Sequence, residues 1–528
     1  MTNIFDLKSE PLFLDRLQSV DPKKLAVIDL SLDNPIMLNY GQLEELSNRT
    51  AQGLLNYGVK PGDFVAYQLP NSWEFVVVTL AIWKIGAAAC PILPALRDRE
   101  VTFIMEKTKS RLLIIPDDYR KFEYEPMVDR LASKLPNLET KIVIKSRNPM
   151  DVKGCLGGLA DHDPDLERLN QLRPNSETNS EILFTSGTTG EPKGVIHTHG
   201  TLSFAVRAHR KALKLTENDV IWIPSPIAHQ TGFLYGMVAA LGLGATQVCQ
   251  AVWNVETARK AIEEYGATFV QAAMPFLADI SRDANPPKGL RIFVATGAAV
   301  PRQLAREATK ALECHVVGGW GSTETCLVAV GSPYEDGDKA WGTDGRVIEG
   351  MEMKITDEAG NELPRGKEGM YRVKTPAMFT TYLDHHEWYE QAIDENGFFI
   401  TGDLAIMDEE GFLNITGRIK DIVNRGGEKI PVVEIENVLY EHPNIQDAAI
   451  VGMPDPRLGE RICAFITLKE KTPFALEDIT SYLESKGVAK IYWPEHLELI
   501  DVLPRTVTGK VQKYVLRELI SDKRKIKA

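Results

Sequence analysis

The chain carries a run of small hydroxyl residues and glycines, Thr185-Ser186-Gly187-Thr188-Thr189-Gly190, closed by Glu191-Pro192-Lys193-Gly194 and preceded by the apolar stretch EILF. Backbone amides and hydroxyls in such a loop donate hydrogen bonds to phosphate oxygens, and Lys193 adds a point charge. The loop is not a Walker A motif, because Gly194 stands where that motif needs Ser or Thr after its lysine. A second span, Trp320-Gly321-Ser322-Thr323-Glu324, combines a flat ring, small donors and a carboxylate. Thr323 suits a phosphate, and Glu324 suits Mg2+, which prefers oxygen ligands. Asp403, in Thr401-Gly402-Asp403, can accept both hydroxyls of a ribose or serve as a turn carboxylate between strands. Arg418, in GRIKD, offers a planar fork for a ribose or phosphate oxygen, whereas Lys420 and Asp421 beside it also read as solvent-facing charges. Lys510 closes PRTVTGK, a turn from which an ammonium can offset charge that develops during attack on a phosphate ester.

Positioning these groups falls to an alternating series of elements. The segment YGQLEELSNRTAQGLLNY sets Leu43, Leu46, Ala51, Leu54 and Leu55 along one helical stripe, and KPGD punctuates it before the short strand FVAYQL. The apolar run VVVTLAIWKIGAAACPIL is interrupted by Lys84 and ends in prolines, which predicts a buried helix followed by a strand rather than a membrane span. The pattern repeats from Glu181, with a helix from His199 to Leu213 and strands at DVIWIPSP and GLRIFVATG. Such alternation implies mostly parallel sheets covered by helices, with ligands beyond the carboxyl ends of strands. After about residue 345 the texture changes to short strands joined by tight turns such as DEAG and DENG. The expected architecture is therefore α/β. Residues 1–419 form a large N-terminal domain of parallel-sheet α/β subdomains plus a β-rich subdomain, and residues 420–528 form a small mobile α+β domain.

A chain of 528 residues exceeds the size at which one core keeps growing, which agrees with two domains. A formal charge of −13 disfavours nonspecific binding to nucleic acid while leaving room for a local basic site for an anionic ligand. Cys90, Cys155, Cys249, Cys314, Cys326 and Cys463 are scattered without a CxxC pair, so neither a disulfide framework nor a zinc cluster is expected. The amino terminus contains acidic residues and no long apolar core, unlike a secretory signal. No transmembrane segment and a cytoplasmic location are expected.

Read together and in order, the Thr/Ser/Gly loop, WGSTE, TGD, GRIKD, RGGEKI and PRTVTGK resemble the motif series of the adenylate-forming superfamily, which includes acyl-CoA synthetases, peptide-synthetase adenylation domains and firefly luciferase. The resemblance spans about residues 25–520 and implies ATP, Mg2+ and coenzyme A as ligands of a site between the two domains. It assigns Thr185 to Gly190, Lys193, Gly297, Ala298, Ala299 and Trp320 to Ser322 to the nucleotide. Thr323 takes a phosphate, Glu324 and Thr185 take Mg2+, Asp403 the ribose, and Arg418 a ribose or phosphate oxygen. Lys420 falls at the hinge, Lys510 is the adenylation lysine, and Gly426 and Gly427 border the approach of the thiol. Many members carry Tyr where this chain has Trp320, another flat ring that can stack near adenine and the acyl pocket. The implied reaction needs positioned oxygens and neutralised phosphate charge, and no Ser or Cys nucleophile.

Pro226-Ile227-Ala228-His229-Gln230-Thr231-Gly232-Phe233 matches a further motif of these enzymes, with His229 beside the acyl pocket. The form AHQTGFLYG is similar to bacterial ligases for short or medium-chain fatty acids and for alicyclic acids. By position, Phe233, Met274, Ala295, Gly297, Gly319, Trp320 and Val328 also line the acyl region. An amino-acid substrate would call for an acidic partner near Phe233 and Leu234, and none is there. The implied partner is a small carboxylic acid, with CoA as acceptor or, alternatively, a carrier-protein thiol supplied in trans. The oligomeric state is left open, a homodimer included.

Overall fold

The computed structural model describes residues 7, 12–145, 154–185, 192–297, 301–335, 337–426, 428–506 and 509–527. A large N-terminal α/β part holds two extended sheets and a smaller antiparallel sheet, and a smaller α+β part follows it. The first sheet has nine strands. Its centre is parallel, running through His315–Ser322, Ile292–Ala295, Phe269–Ala272, Val220–Ile223, Thr246–Cys249 and Leu25–Asp29. The second has seven strands, with a parallel centre of Asn179–Thr185, Ala88–Pro91, Phe64–Tyr67, Leu112–Pro116 and Thr140–Ile144. Both are mixed sheets, because antiparallel strands flank the parallel centre on both sides of the first and on one side of the second. Ala88–Pro91, Leu112–Pro116, Phe269–Ala272 and Ile292–Ala295 are short runs buried on both faces, as parallel strands between helices must be.

The helix Trp73–Lys84 explains how the two sheets share a core. Every residue from Trp73 to Trp83 is buried, the signature of a helix surrounded by protein, and the largest apolar cluster takes residues from both sheets and from this helix. The helix predicted over YGQLEELSNRTAQGLLNY spans Tyr40–Asn56. Asn39 starts it by accepting the Gln42 N–H at 2.8 Å, and Gln42 Oε1 accepts the Asn39 N–H at 2.9 Å, a reciprocal cap that satisfies two otherwise orphaned donors.

The antiparallel sheet Glu352–Thr356, Gly369–Lys374, Phe399–Met407 and Leu413–Arg418 accounts for the change of texture after residue 345. A 3-10 turn, Ile419–Asp421, leads into the smaller sheet formed by Val423–Arg425, Glu428–Ile430, Ile445–Asp455, Gly459–Leu468 and His496–Leu499. Helices Val432–Tyr440 and Leu476–Ser485 cover one side of this sheet. Leu516 and Ile520 of the final helix belong to a separate buried cluster with Val451 and Phe465. Among the described residues, no helix is long and apolar enough to cross a membrane.

Candidate active site

Strand Asn179–Thr185 ends at Thr185, and Lys193 opens the antiparallel return strand as the direct cross-strand partner of Thr185. Ser186, Gly187, Thr188, Thr189 and Gly190 lie outside the described residues, as do Ala298 and Ala299. The Lys193 ammonium stands 4.7 Å from the centre of the Tyr382 ring and 4.9 Å from that of Trp388. Gly297 follows strand Ile292–Ala295 with φ +90°, a left-handed conformation that a side chain resists.

Gly319, Trp320, Gly321 and Ser322 end strand His315–Ser322 rather than following it, and the chain then turns through Thr323 and Glu324. Gly321 is needed there, since a Cβ would sit 2.4 Å from the Cys326 carbonyl oxygen. Thr325 N–H donates to Ser322 Oγ at 3.2 Å and closes the turn. The Thr323 carbonyl accepts a 2.7 Å hydrogen bond from His197 Nε2. Burial lowers the His197 pKa to about 4, which keeps the ring neutral, and the carbonyl acceptor then requires the proton on Nε2. The Tyr382 hydroxyl donates to Glu324 Oε1 at 3.1 Å.

Asp403 lies inside strand Phe399–Met407, not in a turn between strands. Gly402 has φ +75°, and pairing with the neighbouring strand jumps from Arg372–Ile400 to Met370–Leu404. The bulge therefore sets three residues against Tyr371 alone, and such bulges re-aim a side chain. The Asp403 carboxylate receives the Trp320 indole N–H at 2.7 Å on Oδ2 and Arg418 Nε at 2.9 Å on Oδ1. Trp320 meets the Tyr371 ring edge to face, with centroids 4.6 Å apart.

Lys510 arrives from the other end of the chain. Its loop is closed by a 2.8 Å hydrogen bond from the Thr506 N–H to the Lys510 carbonyl, and by Arg505 Nη1 donating to the Gly509 carbonyl at 2.7 Å. Gly509, with φ +86°, lies against Pro275 and Ala273, and a Cβ on Gly297 would stand 3.8 Å from Lys510 Cε. Desolvation lowers the Lys510 pKa, with Arg418 adding to the shift and Asp403 and Glu324 opposing it. The ammonium is thus in the field of three other candidate site residues. His229 feels it too: burial first, and the Lys510 charge second, take the imidazole pKa to about 3.

His229 caps the helical stretch beginning at Gln230, its Nδ1 accepting the Thr231 N–H at 3.3 Å. The next residues, Phe233–Val238, form a π-helical segment, a widening often found where a site is built into a helix. Gly232 permits the tight approach to Pro226, whose carbonyl oxygen would lie 2.4 Å from a Cβ. Of the remaining acyl-region candidates, Phe233 and Val328 are fully buried in the shared core, whereas Ala295 belongs to the buried cluster containing Ala272, Leu277 and Phe293. Met274 is the first residue of helix Met274–Ser281, beside the Pro275 that Gly509 approaches. Lys420 is exposed in the turn where Arg517 reaches Asp421 at 2.6 Å. Gly426, with φ +63°, bonds the Leu458 carbonyl, and Gly427 lies outside the described residues.

His197, which on sequence has a weaker claim than His229, and Tyr382 and Asn71, which the sequence did not single out, support this site. Buried Asn71 donates to the carbonyls of Ile223, Ser225 and Gln250 at 3.1, 2.7 and 3.1 Å and accepts the Ile227 N–H at 2.8 Å. It thereby pins the strand exit that leads to His229. Its only local signal is an Asn-Ser pair at a helix start, which many surface turns share.

The model of AMP-binding enzymes matches residues 14–383, and that of the AMP-binding enzyme C-terminal domain matches residues 434–510. The medium-chain fatty-acid–CoA ligase of Escherichia coli K12 is 34% identical over 502 residues, covering 94% of this chain and 88% of that one. The 2,3-dihydroxybenzoate-AMP ligase of Bacillus subtilis is 30% identical, covering 92% of this chain and 89% of the other. The crystal structure of ATP-bound MatB from Rhodopseudomonas palustris superposes with a TM-score of 0.87 at 26% identity, covering 97% of this chain and 99% of that one. With a family match over most of its length, and with Lys510 held in the field of Asp403, Glu324 and Arg418, the chain belongs to the AMP-binding enzyme family, on the acyl-CoA synthetase branch of the ATP-dependent, acyl-adenylate-forming enzymes.

Proposed function

We propose that the chain is an acid–CoA ligase that converts a short- or medium-chain or alicyclic carboxylic acid, ATP and CoA into acyl-CoA, AMP and diphosphate. The observation that carries this reading is the approach of Lys510 to Gly297, within the field of Asp403, Glu324 and Arg418. In the first step a carboxylate oxygen attacks the α-phosphorus. The new O–P bond gives acyl-AMP, and the bond to the bridging oxygen breaks as diphosphate leaves. Lys510 offsets the charge on the oxygens around that phosphorus, in a site where burial strengthens each interaction. Asp403 would take the ribose hydroxyls, with Trp320 and Arg418 holding its two oxygens. Neutral His229 orients the incoming acid without adding a second cation beside Lys510.

Glu324 and Thr185 would hold Mg2+. Among the described residues no group of three or more His, Cys, Asp or Glu side chains could hold a metal, which fits an ion that takes one carboxylate and otherwise phosphate oxygens and water. When bound, Mg2+ supplies charge neutralisation for the leaving diphosphate. In the second step the thiol sulfur attacks the acyl carbonyl, the C–S bond forms, the C–O bond to AMP breaks and the thiol proton passes to solvent. A small domain starting at residue 420 would turn about Lys420 between the steps, withdrawing Lys510 and bringing the Gly426–Gly427 loop to the thiol entrance.

The similarity to a medium-chain fatty-acid–CoA ligase supports an apolar acid and CoA, and the wholly apolar side chains at Phe233, Leu234 and Val328 fit the acid. A reaction screen tests this: ATP, Mg2+, CoA and a pooled panel of short, medium-chain, alicyclic and aromatic acids, with acyl-AMP and acyl-CoA followed together by mass spectrometry. Acyl-CoA from an alicyclic or short- or medium-chain acid is the expected product. Acyl-AMP without acyl-CoA would instead point to a carrier-protein thiol, the acceptor in the alternative reading.

A further inference from the structure

Lys193 and Glu324 come from different sheets, yet one buried side chain touches both. The Tyr382 ring faces the Lys193 ammonium at 4.7 Å, and its hydroxyl donates to Glu324 Oε1 at 3.1 Å. Trp388, from the short helix His386–Ala392, adds a second ring 4.9 Å from the same ammonium. Trp388 is itself stacked on His385, with centroids 3.7 Å apart and planes within 4°. Tyr382 has little freedom. It pairs with Val195 across a two-residue strand, Leu383 N–H donates to the Gly194 carbonyl at 2.8 Å, and Phe379 packs on its ring at 4.7 Å. Gly194 lets this seam close tightly, since a Cβ would lie 2.9 Å from Ile182 Cδ1 and 3.2 Å from Leu383 Cβ.

An aromatic face holds an ammonium through the ring quadrupole without neutralising it. A carboxylate partner would cancel the charge that a triphosphate needs, whereas two rings leave it intact and aimed. The phenol plays the complementary part at Glu324: it occupies one oxygen as a neutral donor, and among the described residues no other side chain hydrogen-bonds that carboxylate. The second oxygen remains for a cation.

We propose that Tyr382 and Trp388 are positioning residues forming one platform, on which the ring faces hold Lys193 toward the triphosphate and the Tyr382 hydroxyl holds Glu324 for the accompanying Mg2+. This rests on the nucleotide reading of the site. It divides the work in a way that a generic packing role would not. The hydroxyl matters only when the metal is present, and Trp388 matters only when Lys193 is present.

Calorimetric titration of the full chain with ATP, without acid or CoA, tests the platform, once with Mg2+ and once with EDTA, with a thermal melt of each variant alongside. Tyr382→Phe keeps the ring and should weaken ATP binding about threefold to tenfold with Mg2+ while leaving it unchanged in EDTA. Trp388→Leu should weaken binding about threefold in both conditions, Trp388→Phe should restore most of that loss, and Trp388→Leu should have no further effect in a Lys193→Ala background. Equal weakening of Tyr382→Phe in both conditions, or a full Trp388→Leu loss without Lys193, overturns the platform while the nucleotide reading stands. A wild-type chain that binds no ATP in either condition overturns both.

Discussion

Trp320 donates its indole N–H to Asp403 Oδ2 at 2.7 Å, so the ring expected to stack beside a nucleotide is tied by its edge to the carboxylate expected to take the ribose. The bond joins a parallel strand of the nine-stranded sheet to a bulged strand of the antiparallel sheet. It sets the orientation of Asp403 before any ligand arrives.

Trp320→Phe keeps an aromatic ring and removes that donor. A hydrogen bond to a charged group contributes about 1.5–3 kcal/mol, and Arg418 still holds the other oxygen. ATP affinity measured by calorimetry should fall about tenfold, and the melting temperature should drop by a few degrees because the bond is already made in the free chain. Unchanged affinity would mean that Arg418 alone orients Asp403.

Lys510→Ala should lower acyl-AMP formation by about a hundredfold or more while sparing thiolation of supplied acyl-AMP. The pH dependence has a defined sign. Because burial and Arg418 lower the Lys510 pKa, the charged form is present at lower pH and is lost as pH rises, below the ordinary lysine range. Diphosphate release should therefore decline on the alkaline side earlier than a lysine near 10.5 would dictate. Lys510→Arg should remove that decline, whatever its rate. Equal loss of both half-reactions in Lys510→Ala would contradict the assignment.

Glu181, four residues before the end of the strand that delivers Thr185, is fully buried between the sheets. It faces Gln230, Cys326, Tyr235 and Tyr67, with His197 opposite it in the strand pairing. Burial raises its carboxyl pKa from 4.5 to about 8. The folded chain then keeps a proton that the unfolded chain loses above 4.5. The associated stability is complete below 4.5 and is lost as pH rises through about 8. Glu181→Gln removes this titration. Its melting temperature should gain on the parent between mildly acid and mildly alkaline pH, and parallel melting curves would refute a protonated Glu181.

His199 titrates in the opposite sense. It stacks on Phe13 with centroids 5.7 Å apart and meets Trp83 edge on at 5.6 Å, and among the described residues neither ring nitrogen has a hydrogen-bond partner. Burial lowers its pKa from 6.5 to about 3, so its contribution to stability is complete above 6.5 and is lost as pH falls toward 3. His199→Phe keeps the stacked ring and should be more acid-stable than the parent in a pH series of thermal melts. A variant that loses stability equally at pH 5 and pH 8 would show that shape, not charge, governs the position.

Much of the fold follows from local pattern. The helix predicted from His199 to Leu213 spans those residues, because Thr198 accepts the Thr201 N–H at its start and a run of apolar residues faces inward. The apolar run near Lys84 becomes a buried helix and a strand, since it is interrupted by a charge and ends in prolines. The motif residues Glu324, Asp403, Arg418 and Lys510 were legible as a group from the order of their motifs, and the fold brings the first three into the field of the fourth. What the tertiary structure alone decides is the company they keep. The bulge at Gly402 that aims Asp403, the indole that holds it, the ring under Lys193 and the phenol on Glu324 all join strands far apart in sequence. The same is true of Asn71, which is a surface-turn residue by its neighbours and a buried anchor by its four backbone partners. Sequence specifies chemistry by residue type and local spacing. The arrangement of these groups comes from contacts whose spacing no local pattern encodes, because they form only when distant strands pair and the sheets pack together.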